Sequence, residues 1–398
     1  MKIRNKFILV NTLIFMFSTV LTGCVDKTEL NEIALVIGIA IDKDKDDNSV
    51  LVTLELANPS TTNRQSGDST GKTNSSILQT SKGINFSDAL QNFTQVSSLA
   101  IDFTHIQVIV MSKDLCAEGV SGVVDYVARD RQFRNLNWIF MAEDSAREIL
   151  KTKIPNDDIT SLGLANMMNK LRKKGSIIPI DLNRFIIGFQ SQAKASIAPV
   201  VRVEKTKEEP QGRIKIEKTA VFKNDRLVGV LTTEESKYLS WFHRRIKGNL
   251  VVSPITSNSN KEDIIVQIFK EDTKIETKMN KDNISFEIKC IATAEIKELS
   301  NLKLDSSVMS RIENNTEQIL EEKLSELINR CQTNLNADVI GFAEIIYNNN
   351  PEKWASMKKN WDEIFPTMRY KVSFDVTFRK VGMIKDSPIN SIEEGQVK

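Results

Sequence analysis

Residues 33–41 (IALVIGIAI) form an unbroken apolar run, followed by a polar stretch at 42–48 (DKDKDDN) and an alternating stretch at 49–57 (SVLVTLELA). A short apolar run rich in β-branched residues predicts a strand buried on both faces, and alternation predicts one with a single buried face. The pair reads as a β-hairpin. Further strands are predicted at 77–82, 106–111 (IQVIVM) and 138–142 (WIFMA), with a helix at 87–99 and another from Ser112 to about residue 128. That strand-helix-strand order predicts local parallel pairing. Helices should then cover 146–150, 159–174 and 181–192.

Residues 205–212 (KTKEEPQG) are charged, poor in apolar side chains, and contain Pro210 and Gly212, so they are predicted to link two domains. Beyond them, strands are expected at 214–223 and 227–231, then a helix from Thr233 to about residue 245. Long alternating segments at 264–277 and 284–296 predict antiparallel strands. The longest helix is expected at 306–335, where Ile312, Ile319, Leu320, Leu324, Leu327, Ile328 and Cys331 recur at helical spacing. Shorter helices at 338–347 and 351–364 and a strand at 370–381 complete the chain. The expected class is α+β, with two to three mixed domains built on antiparallel and mixed sheets.

The amino terminus has a different character. Lys2, Arg4 and Lys6 precede the mostly apolar stretch 7–21 (FILVNTLIFMFSTVL), which is short for a helix spanning about 30 Å of hydrocarbon. Cationic and apolar segments in that order read as a secretion signal. Leu21-Thr22-Gly23-Cys24 then resembles a bacterial lipobox, with cleavage between Gly23 and Cys24 and a thiol at Cys24 to accept diacylglycerol. Two or more buried acyl chains anchor a protein stably, so the expected anchor is lipid. The expected division is a signal peptide at 1–23, a tether at 24–32, an N-terminal region at 33–204, a linker at 205–212, a C-terminal domain at 213–385 and a tail at 386–398. The tether holds the body close over the outer leaflet of the membrane.

Charge and chemistry narrow the function. The 398 residues carry 54 Lys plus Arg against 52 Asp plus Glu, and the three earliest basic residues would leave with the signal. Such a balance offers no basic face for nucleic acid. With two histidines, His105 and His243, the chain has little material for imidazole-based catalysis or a His-rich metal site. Cys116, Cys290 and Cys331 lack the spacing of a disulfide framework or a C-x-x-C site and read as small buried apolar residues.

Residues 67–73 (GDSTGKT) fail the phosphate-loop spacing by one residue. Asp42, Asp44 and Asp46 alternate as in a calcium loop, but Asp47 and Thr53 stand where glycine and glutamate are needed, so a solvated turn is expected. Trp354 and Trp361, seven apart, read as core anchors on one helical face, or as an interface pair if exposed. No catalytic, metal-binding or cofactor-binding residue is proposed.

The ordered set of motifs resembles the Ger(x)C family of spore germination lipoproteins, the C subunits of GerA-type nutrient germinant receptors. Its marks here are Cys24-Val25-Asp26 with Glu29-Leu30, the Gly-Ile-Ala-Ile-Asp run ending at Asp42, His105 with the strand to Met111, Leu115, Gly119, and Arg129, Asp130 and Arg134. Ala220-Val221-Phe222-Lys223 with Leu227-Val228-Gly229 follows, then Asp338-Val339-Ile340-Gly341, Pro351, Trp354, Trp361 and Phe365. Val25 departs from the Trp often found after the lipid-bearing cysteine. The resemblance implies a palmitate- and diacylglycerol-bearing, non-enzymatic subunit that works with A and B membrane subunits at the inner spore membrane. It leaves open whether this subunit contacts the nutrient. The residues alone also admit a substrate-binding lipoprotein of a membrane importer, which would need two similar lobes around a cleft, or a cell-wall hydrolase using paired carboxylates.

Overall fold

A computed structural model describes residues 32–58, 75–133, 136–191, 195–243, 249–257, 260–280, 283–298 and 305–379. The expected signal peptide, Gly23 and Cys24, the tether up to residue 31, the 67–73 motif, Arg134, and the tail lie outside the described residues.

The first hairpin is β1 (Ile33–Lys43) and β2 (Val50–Ala57), paired antiparallel, with β3 (Ser76–Gly83) antiparallel on the far side of β2. Helix α1 (Phe86–Val96) follows, capped by the Asn85 side chain, and the short β4 (Ala100–Asp102) pairs parallel with the start of β1. β5 (Val108–Ser112) and β6 (Trp138–Ala142) add in parallel, as the strand-helix-strand order predicted. β7 (Ser196–Glu204) continues in parallel, and β8 (Arg213–Lys223) and β9 (Arg226–Leu231) close a nine-stranded sheet antiparallel.

The expected helix from Ser112 to residue 128 is two helices, α2 (Lys113–Glu118) and α3 (Ser121–Arg129). Gly119 takes φ 132° between them, a conformation open to glycine, and the Val120 N–H leaves the helical ladder for the Asp225 carbonyl at 2.9 Å. α4 (Ala146–Lys151), α5 (Thr160–Lys174) and α6 (Leu182–Gln190) lie close to their predicted spans. Gly175, at φ 68°, ends α5.

β1 shows why an unbroken apolar run was required. Ile39 and Ile41 join the main core on one face, while Ala40 joins Val108, Val110, Phe140 and the apolar sides of α4 and α5 on the other. β2 departs from expectation, since its polar positions Thr53 and Glu55 are buried too.

The predicted linker at 205–212 instead turns β7 into β8, adjacent strands paired from Ser196↔Phe222 to Glu204↔Arg213. Its charged, proline-bearing composition is that of an exposed hairpin end, which a linker shares. β7 itself was not anticipated. Pro199 argues against an inner strand, but β6 pairs with β7 only at Val200 and Val201, just past it.

After β9, Thr232 and Glu235 form a capping box on α7 (Thr233–Leu239), and a 3-10 turn runs over Ser240–His243. A second sheet follows in the order β10 (Asn249–Ser257), β11 (Asn260–Asn280), β12 (Asn283–Glu298), β13 (Arg369–Phe378). β11 and β12 are antiparallel as predicted, and β13 is parallel to β12; β10 was not anticipated. α8 (Ser306–Arg330) continues into a wider π turn at Cys331–Leu335. α9 (Phe342–Asn349), α10 (Pro351–Met357) and α11 (Trp361–Ile364) then lead into β13, so the expected helix at 351–364 is broken by the 3-10 turn Lys358–Asn360. The main core is continuous from β1 to β13, and Trp241, in the 3-10 turn after α7, meets Phe374 of β13 edge-on at 4.9 Å. The two halves are not similar lobes.

Candidate functional site

Asp42, Gly38, Gly229 and Asp338 of the family-like motifs, together with Glu55, lie in joints that hold helices on sheets. Three carboxylates, each from outside the helix it serves, receive the bare N–H groups of a helix start. Asp42, at the end of β1, accepts from Ala146 N at 2.7 Å and Arg147 N at 2.9 Å of α4. Burial pushes its carboxyl above the ordinary range, against the pull of those two N–H groups. Glu55, on β2, accepts from Thr160 N at 3.0 Å and Ser161 N at 2.8 Å of α5, and from the Ser161 and Ser76 hydroxyls. α5 has no side-chain cap of its own. Asp338 accepts from the N–H groups of Gly341, Phe342 and Ala343 at 2.8, 3.1 and 2.8 Å. Residue 338 was expected to begin a helix; it caps α9 instead, and Gly341 at φ 92° makes the turn.

The glycines of the same motifs are approach points. A Cβ on Gly38 would lie 1.8 Å from Ser161 Oγ, and one on Gly229 would lie 2.5 Å from the Leu335 methyl group. Beside Gly229, Arg330 at the end of α8 pairs with Glu235 and donates to the Val230 carbonyl at 2.9 Å. Trp354 and Trp361 are both buried, their rings 5.3 Å apart, and Phe365 lies 5.8 Å from Trp361. They are core anchors.

The remaining candidates are dispersed. His105 is exposed on the loop before β5, with its Nδ1 3.0 Å from Thr104 Oγ1, and His243 closes the 3-10 turn after α7. In the β1–β2 turn, Asp44 and Asp47 each pair with Lys82 at 2.7 Å. Lys82, followed by Ser49, holds the Asp47 carboxyl down to about 2. Asp42 of the same run turns its carboxylate to the start of α4, so Asp42, Asp44 and Asp46 do not converge as calcium ligands. Among the described residues, no three His, Cys, Asp or Glu side chains are grouped to hold a metal ion.

Cys116, Cys290 and Cys331 are buried and unpaired, as read from the sequence. Burial raises all three thiols, Cys290 and Cys331 to about 12. An open groove of about 1040 Å³ runs between the loop after α4 and the β7–β8 turn. Its walls mix Lys151 and Lys153 with Asp157, Glu208 and Glu209, without a dominant charge. No helix among the described residues is long and apolar enough to cross a membrane.

Two family models match in order along the chain. One, described as "Spore germination protein N-terminal domain", covers residues 26–203. The other, "Spore germination B3/ GerAC like, C-terminal", covers 217–382. They divide the chain where the β7–β8 turn lies, although the sheet runs across that point. Spore germination protein KC of Bacillus subtilis (strain 168) is 26% identical over 404 residues, covering 96% of this chain and 97% of its own. Spore germination protein B3 of the same organism is 24% identical over 389 residues, covering 95% and 98%. The crystal structure of the GerBC protein shares the fold, with a TM-score of 0.57 at 22% identity over 86% of this chain and 97% of that one.

Proposed function

Because the chain belongs to the Ger(x)C family of spore germination proteins, we propose that it is the lipid-anchored C subunit of a GerA-type nutrient germinant receptor. The observation that carries the reading is the match of both family models, in order, over nearly all of the chain after residue 25. In this role Cys24 carries diacylglycerol and a further acyl chain such as palmitate, after cleavage between Gly23 and Cys24. The subunit works at the outer leaflet of the inner spore membrane, beside A and B membrane subunits. It is non-enzymatic: it couples or scaffolds those partners through protein surfaces. The joints around Asp42 and Asp338 support this, since both motif carboxylates are engaged by the N–H groups of a helix start.

The test is germination of spores lacking this chain, across a nutrient panel and one non-nutrient trigger, with complementation by the wild type and by Cys24→Ala. Loss of one nutrient response, with the non-nutrient response intact and full rescue by the wild type alone, is the expected result. Normal responses in a strain also stripped of related receptors would overturn it.

A further inference from the structure

We propose that the body stands on the membrane by the end where β1 begins, with Leu136, Arg131 and Ala100 resting in the headgroup region and the charged β1–β2 turn pointing away. The inference rests on the lipid anchor at Cys24 proposed above.

The tether sets the geometry. Ile33, the first residue of β1, lies nine positions after Cys24. At no more than about 3.6 Å per residue, the lipid holds Ile33 within roughly 30 Å of the bilayer surface. β1 runs 11 residues from Ile33 to Lys43, about 33 Å at strand rise. Placing its far end on the bilayer would therefore require all nine of those positions to be fully extended, which costs conformational entropy. Resting on the near end requires no extension.

The two ends also differ in chemistry. At the near end β4 pairs with β1 through Ile33↔Ala100, which sets the exposed Ala100 beside the first residue of β1. The next loop is bound to the same place: Phe103 N donates to Gln132 Oε1 at 3.2 Å, and the Phe103 and Phe133 rings stack at 5.3 Å. Arg131, which is exposed, lies beside that contact, and Leu136, which is 79% exposed, lies two residues before Trp138, whose register through Val108 to Gly38 places Leu136 on the side of β1's start. An exposed leucine with an arginine nearby suits an interface, where the apolar group enters the acyl boundary and the guanidinium reaches phosphate. The far end carries Asp44, Lys45, Asp46 and Asp47, an expensive set to bring against lipid. Ile84, 82% exposed, lies at that far end beside Lys82 and supplies a matched control.

The test uses the full-length chain made in a lipidating host and inserted into phosphatidylglycerol–phosphatidylethanolamine vesicles. Leu136→Cys, Arg131→Cys and Ile84→Cys are labelled with an environment-sensitive dye and quenched by nitroxide lipids. Flotation with the vesicles reports the anchor independently. Each variant's melting curve is first matched to the wild type, and Arg131→Cys provides a second reporter of the same end. The expected result is flotation of all three, with several-fold stronger quenching at positions 136 and 131 than at 84. Flotation with equal quenching, or with stronger quenching at 84, overturns the orientation and leaves the anchor standing. Failure to float removes the anchor, and the orientation with it.

Discussion

Glu321 on α8 accepts the main-chain N–H of Phe374 on β13 at 3.0 Å, through Oε1. One turn earlier, Glu317 Oε1 accepts the N–H of Val376 at 2.9 Å. Residues four apart on a helix and two apart on a strand have nearly equal spacing, so two carboxylates can face alternate N–H groups of an edge strand. β13 is the outer strand of its sheet, and unpaired N–H groups on an edge invite pairing with other chains. The double variant Glu317→Ala/Glu321→Ala should lose about 2–4 kcal/mol in urea unfolding and self-associate on light scattering, while Glu→Gln at both sites, which keeps an acceptor, should lose much less. A double alanine variant as stable and monomeric as the wild type would show that the carboxylates do not guard this edge.

The joint between Gly38, Ser161 and Glu55 makes a graded prediction. A Cβ at Gly38 meets the Ser161 hydroxyl at 1.8 Å and Val108 at 3.3 Å, against the fixed start of α5. At Gly229 the neighbour is the end of a leucine side chain, 2.5 Å away. Gly38→Ala should therefore cost more than Gly229→Ala, about 3 kcal/mol or above against about 1. Removing the obstacle in the double variant Gly38→Ala/Ser161→Gly should recover part of that loss, and additive losses would refute the contact. Glu55→Ala, which strands two buried N–H groups, should cost about 2–4 kcal/mol.

Reactivity of the thiols follows from their burial. With Cys24 absent or acylated, the native body should show no thiol reacting rapidly with a disulfide reagent at neutral pH, and three once denatured. Rapid native labelling at any of Cys116, Cys290 or Cys331 would mean that the core around it opens.

Much of the fold was legible because local pattern and tertiary burial agree. The run at 33–41 predicted a strand buried on both faces, and Ile39 and Ala40 do enter different cores. Legibility failed where a residue's role depends on a distant partner. Glu55 occupies a polar position in an alternating strand, which reads as solvent-facing, until α5, more than 100 residues later, delivers its N–H groups. Asp42 reads as one acid of a charged turn for the same reason, since its partners are Ala146 and Arg147. The composition at 205–212 fits a linker and a hairpin turn equally, and only strand pairing distinguishes them. A capping signal at 338–341 was available, an aspartate three residues before a glycine, but it was read as helix.

The β7–β8 hairpin carries a pH dependence whose sign can be worked out. Glu204 pairs with Lys215 at 2.7 Å, Arg213 at 2.8 Å and Arg202 at 2.9 Å. Lys215 and Arg213, followed by Arg202, hold its carboxyl down to about 2, from an ordinary value of 4.5. A carboxylate with a lowered folded-state value stabilises the fold fully above its unfolded value. Below about 4.5 the unfolded chain takes up the proton first, so the contribution shrinks as pH falls and is gone near 2. Glu204→Gln should thus be less stable than the wild type at pH 7, with the two unfolding curves converging as pH falls from 5 toward 2. Because the arginine and lysine partners are partly exposed, added salt at pH 7 should narrow the same gap. A gap constant across pH and salt would assign the loss to packing of the glutamate's stem instead of its charge.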